Sequence, residues 1–155
     1  MKHFKYFTPI VLFITLSANS FCQSLDNFND VLKERKTGKV IRKRSGEDIS
    51  ERTFLGVVKN NQGKVKYYVV KEFLRVKAAV VYHGHSTILF FNNKKQLVSQ
   101  SILSLPSELP FKLIKNSLYF KYSENGSKKI YVQDISTLPR MICVEPKSCY
   151  DVSNP

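Results

Sequence analysis

The chain of 155 residues has no P-loop, no GxGxxG, no HExxH and no calcium-loop spacing. Such motifs exist because a phosphate or a metal ion needs backbone N–H groups, imidazoles or oxygens at fixed intervals. Their absence excludes nucleotide and metal sites built from one local segment. No G-x-S-x-G elbow is present either, so a serine nucleophile on a strand-to-helix turn is excluded. A triad assembled in space stays open, but nothing singles out one serine. Acidic residues are few, 12 in all, scattered and mostly beside lysines. They read as solvated surface, not as the paired carboxylates of glycoside hydrolysis. Glycine and proline are sparse, six of each, and no segment is low in complexity.

Long apolar runs are also missing. The longest, Tyr6 to Leu16, contains Thr8, Pro9 and Thr15 and is well short of the roughly 20 residues that cross a bilayer as a helix. It follows Lys2 and Lys5 and precedes a run of small polar residues, the three-part order of a secretory signal peptide. Ser20 and Cys22 supply the small side chains that signal peptidase needs, so residues 1–22 are expected to be removed and Gln23 to begin the mature chain, in a periplasmic or secreted setting. Cys22 also invites comparison with a lipid-bearing lipoprotein cysteine. Asn19 and Phe21 stand where that motif wants an aliphatic and a small residue, which speaks against it.

Basic residues number 25. Without Lys2 and Lys5, 23 of them face the 12 acidic residues, a net charge of +11. Such a charge aids solubility and favours anionic partners such as an acidic polymer or protein. Seven basic residues between Lys33 and Arg44 are opposed only by Glu34, but no aromatic residue is interleaved there to stack on bases. Nucleic-acid binding is therefore not expected.

Beyond Cys22 only Cys143 and Cys149 remain, spaced as "CVEPKSC". In an exported chain an even count predicts a disulfide. As metal ligands, two thiolates without nearby histidines fall short of zinc's four donors.

Residues 24–36, "SLDNFNDVLKERK", place Leu25, Phe28, Val31 and Leu32 at helical intervals, with Ser24 as an N-cap, basic residues in the last turn and Gly38 beyond. This predicts one short amphipathic helix. Residues 36–52 are charged and nearly free of large apolar side chains, which suits a flexible linker or an exposed edge. From residue 53 the pattern becomes that of strands between turn clusters. Hairpins are expected around Asn60 to Gly63, around Asn92 to Lys95 and at Asn125-Gly126, the last a type I′ turn. Asn61, Asn93 and Asn125 lie 32 residues apart in both intervals, a spacing that either a repeat or an even meander produces.

Between Val65 and Val80 the apolar parity switches near Lys71, which predicts a bulged strand there in preference to one short helical turn of Val70, Phe73, Leu74 and Lys77. Pro106 and Pro110 break the ladder, a tight turn is expected at Asn116-Ser117, and the proline-containing tail reads as an irregular segment pinned by the cysteines. The expected fold is mainly β: an antiparallel meander of about seven to nine strands forming a sandwich or small barrel, with one short N-terminal helix. Residues 1–22 are the signal peptide, 23–52 the helix and basic linker, and 53–155 the β-rich domain.

"YHGHSTILFFNN" holds two of the three histidines. On a strand His83 and His85 face the same way and could share a metal, given a further ligand, or act as acid and base. Gly84 favours a turn instead, and a turn would splay the rings at a hairpin corner. Tyr67, Tyr82, Tyr119 and Tyr131, flanked by lysines, are candidates for an amphipathic binding face, or for half-buried strand positions with wet hydroxyls. The composite expectation is a non-catalytic binding module for an envelope protein or anionic polymer, with no cofactor and no metal assigned, and with Tyr67, Tyr82, His83, His85, Tyr119 and Tyr131 as candidate binding residues. A hydrolase using His83 and His85, or an inhibitor or immunity-type protein, are the competing classes.

Overall fold

A computed structural model describes residues 28–155. The predicted signal peptide, Cys22 and the helix cap at Ser24 lie outside the described residues. Helix α1 (Asn29–Glu34) buries Val31 and Leu32 and stops at Arg35, which turns left-handed and returns its N–H to Val31 O. Six residues do not hold a helix in water by themselves. This one is held by its apolar face, which packs with Phe28 on the sheet described next.

Strands β1 (Val40–Ser45), β2 (Asp48–Lys59), β3 (Val65–Ala78), β4 (Val81–Phe91) and β5 (Leu97–Leu103) form one antiparallel sheet in sequence order. The basic stretch thus becomes an edge strand and the start of its neighbour. Two of its charges are paired across the ladder and to the helix: Arg42 reaches Glu51 at 2.6 Å and Lys43 reaches Asp30 at 2.9 Å. A single 3-10 turn at Pro106–Glu108 then leads away from the sheet into β6 (Lys112–Ile114), β7 (Ser117–Glu124) and β8 (Ser127–Asp134), a three-stranded antiparallel sheet.

The tail departs from the irregular segment expected of it. It forms a hairpin, β9 (Met141–Glu145) and β10 (Ser148–Asp151), with Cys143 and Cys149 opposite each other at disulfide bonding distance. Alternation is poor there because the strands are short and tied from the side. The Gln133 amide of β8 donates to Met141 O at 2.8 Å and accepts from Cys143 N at 2.6 Å. One side chain so does the work of a neighbouring strand. Beyond β10, Ser153 exchanges two 2.9 Å backbone hydrogen bonds with Gln100 of β5.

The layers make a sandwich. Leu55, Val58, Val69, Ile88 and Phe90 of the large sheet meet Leu118, Phe120, Ile142 and Val144 of the two smaller ones, with Ile135 just past the end of β8. On the large sheet's other face, Phe54, Tyr68, Val70, Leu89 and Phe91 receive the helix. The large sheet is therefore buried on both sides along its middle, and this explains the parity switch in β3. No bulge occurs at Lys71: Tyr68 to Ala78 pair with Phe91 to Val81 without a shift. Val69 and Val70 are both fully buried because each faces a different layer, so alternation is lost there with the ladder to β4 still regular. Irregularity falls instead at the start of β3, where Val58 and Lys59 oppose Tyr67 and Val65 and leave Lys66 over, and on β2, between Phe54 and Gly56. Gly56 has φ +146°, and a side chain there would meet Leu113 of β6 at 3.3 Å. The bulge and the missing Cβ let the second layer approach.

Asn60 and Asn92 build the same turn. Each side-chain oxygen accepts two backbone N–H groups, Gln62 and Lys64 in one case, Lys94 and Gln96 in the other, at 2.9–3.0 Å. The third member of the 32-residue spacing differs, since Asn125 and Gly126 form a two-residue turn with φ of 51° and 77°.

Candidate binding surface

The six candidate residues fall in three places. Tyr67 and Tyr131 pack, half buried, against the main core. Tyr82 is 52 % exposed near the β3–β4 turn, where His83 and His85 are also exposed. Gly84 makes no turn: it sits inside β4 opposite Arg75, and its lack of a Cβ admits the Phe73 ring, which a side chain would meet at 2.9 Å. The two imidazoles therefore share one strand face, as the metal reading required. Among the described residues no group of three His, Cys, Asp or Glu side chains gathers to hold a metal ion.

Tyr119 stands on the outer face of the three-stranded sheet, and there a surface is built. Lys112 lies directly opposite it on β6. Its ammonium is 4.5 Å from the Tyr119 ring centre and 5.3 Å from that of Phe111. Lys121, two residues along the same face, holds its ammonium 4.9 Å from the Phe111 ring. The two rings themselves meet nearly edge to face, 6.3 Å apart at 72°. Each ammonium rests against the negative face of a ring, which fixes a long flexible side chain without neutralising it. Ile130 and Val132 of β8 complete the face at 58 % and 46 % exposure, opposite Lys121 and Tyr119.

Past Lys121 and Ile130 the surface curls into a groove of about 770 Å³ between the β7–β8 hairpin, the 3-10 turn and β9. Leu105, Tyr122 and Val144 give it an apolar lining, and Lys128 and Lys129 stand along it. Of the two carboxylates on the groove, Glu108 is already engaged, accepting from Tyr150 Oη at 2.7 Å and from Leu105 N at 2.8 Å. Lys129 pairs with Glu124. Lys121 and Lys128 face no carboxylate partner among the described residues, so the balance is positive.

Sequence reading found Tyr119 and the alternation of tyrosine with lysine. It missed Phe111, which sits just after Pro110 at the ladder break, while Tyr131, opposite Phe120, takes the half-buried one of its two expected positions. The register across the β7–β8 turn carried that signal: Tyr119 opposite Val132 fixes which residues share its face.

Lys71 and Asp30 are shifted by their positions elsewhere in the fold. Burial pushes the Lys71 ammonium down, and its Nζ donates to Pro110 O at 3.0 Å. Asp30 is held below the ordinary aspartate value: burial works against its charge, but the Lys43 ammonium, the Val31 N–H and the Arg52 charge outweigh it.

No family model, curated protein or solved structure matches this chain.

Proposed function

We propose that this protein is an exported, non-catalytic binding module whose three-stranded sheet engages an anionic envelope partner. The observation that carries the reading is the cluster of Lys112 and Lys121 over Phe111 and Tyr119. Ammonium groups seated on rings are pre-positioned donors, so less side-chain entropy is lost when an anion docks on them. The exposed Ile130 and Val132 beside them give an apolar centre with a charged rim, the anatomy of a protein-binding patch. This favours an acidic protein segment over a bare anionic polymer. The disulfide-distance cysteine pair and the leader-like first 22 residues support export.

Poly-glutamate is a direct probe. Its affinity is expected to fall steeply between about 50 and about 500 mM salt, as charge–charge contacts are screened. Lys112→Ala combined with Lys121→Ala is expected to weaken low-salt binding by about tenfold, a modest energy for two partly exposed charges. Affinity indifferent to salt and to both substitutions would remove the reading.

A further inference from the structure

The β3–β4 hairpin outruns its neighbours. Pairing of β2 with β3 ends at Ile49 opposite Arg75, and pairing of β5 with β4 ends at Leu103 opposite Ser86. On the β3 side the exposed edge is closed, because the Asp48 carboxylate accepts Lys77 N at 2.9 Å. On the β4 side Val81 to His85 border no strand among the described residues. That bond to Asp48 also fixes which backbone groups are free. Lys77 N points away from β4, so its opposite number, Tyr82, turns its N–H and C=O outward, and so does Gly84 two residues on.

Free edges are normally blunted by lysine, proline or a bulge. This one, "VYHGH", has none of them. Apolar side chains stand exposed at its start, Val80 at 89 % and Val81 at 55 %, and Ile102 of β5, opposite Thr87 just beyond it, is 56 % exposed.

We propose that this edge pairs with the same edge of a second copy of the chain, antiparallel and centred on His83. Two-fold symmetry makes such a contact self-complementary. The outward groups allow few registers. One centred on Gly84 would set Tyr82 against Ser86, whose edge β5 already occupies. One centred on Tyr82 would oppose the two tyrosines and draw Val80, a turn residue, into the ladder. Centring on His83 sets Tyr82 of each copy against Gly84 of the other, which completes two hydrogen-bonded residue pairs across the axis. Each tyrosine then lies over a glycine that has no side chain of its own, beside the Phe73 ring that already crosses it. Aromatic cover of a strand glycine in this manner is a known stabiliser of edges. The five-residue edge makes a small interface, so the pairing is a weak, concentration-dependent dimer.

Two measurements test this. In a Cys22→Ser background, single cysteines at 81, 83 and 85 report the register by oxidative cross-linking. His83→Cys is expected to give the dominant disulfide-linked dimer, because only residue 83 meets itself. Tyr82→Pro removes an N–H that bonds nothing within the monomer; it is expected to leave the circular dichroism unchanged and weaken dimerisation in sedimentation by about tenfold. A wild-type chain that stays monomeric to about 1 mM, or cross-linking equally efficient at all three positions, would overturn the proposal.

Discussion

Arg52 is the residue on which the helix-facing side of the sheet turns. It is 1 % exposed, its Nε lies 2.7 Å from Glu72 Oε1, and its guanidinium sits 3.9 Å from the Phe28 ring centre. Ser50 Oγ donates to the same carboxylate oxygen at 2.7 Å. Removing one member of a buried pair strands the other charge. Arg52→Met is therefore expected to lower unfolding stability by about 3 kcal/mol in urea titration. Adding Glu72→Leu should restore most of the loss; a double variant no better than the single one would show that packing on Phe28, not charge, matters. Lys71 yields a pH dependence of definite sign. Its folded pKa is depressed by burial, so the folded state carries the full penalty of the charged form at neutral pH. Stability is expected to rise as pH climbs through that lowered value toward the unfolded lysine value near 10.4. Thermal melts of Lys71→Met across the alkaline range should lack this rise. None of this was readable beforehand: Arg52 and Lys71 look like the chain's other basic residues, and only the layer above each one makes it different.

Turns were the most legible elements. Asn60 and Asn92 are read from sequence because an asparagine oxygen can cap two N–H groups of its own turn, a property of the local segment alone. The two turns fill their left-handed position differently: Gly63 has φ +76° where Lys95 has φ +64°. A lysine carries a steric cost in that left-handed region that glycine escapes. Lys95→Gly relieves a left-handed cost of about 1 to 2 kcal/mol, part of which glycine's chain entropy takes back; it is accordingly expected to raise the melting temperature, and a neutral or negative change would contradict it. The tail hairpin was less legible because its ladder is partly supplied by Gln133, 10 residues before Cys143. Opening the Cys143–Cys149 link with reductant, or replacing both cysteines with serine, is expected to cost about 2 kcal/mol for so short a loop. The β9 and β10 amides should then lose hydrogen-exchange protection before the large sheet does.

At the scale of the whole molecule, strand content and antiparallel order followed from period and turn chemistry, whereas the layering did not. Alternation shows one buried face; it fails in β3 and β4 because both faces are covered, and residues such as Val69 and Val70 then carry no sign of which layer each meets. The binding surface has the same limit. Tyr119 was visible as one of several strand tyrosines, but its partners come from three strands whose register had to be known, and Phe111 lies outside any recognisable strand. The most direct measurement is an amide-resolved NMR titration with poly-glutamate at low salt. The account predicts shifts concentrated at residues 111–112, 119–121 and 128–132. Shifts centred on His83 and His85, or spread evenly over the basic surface, would contradict it.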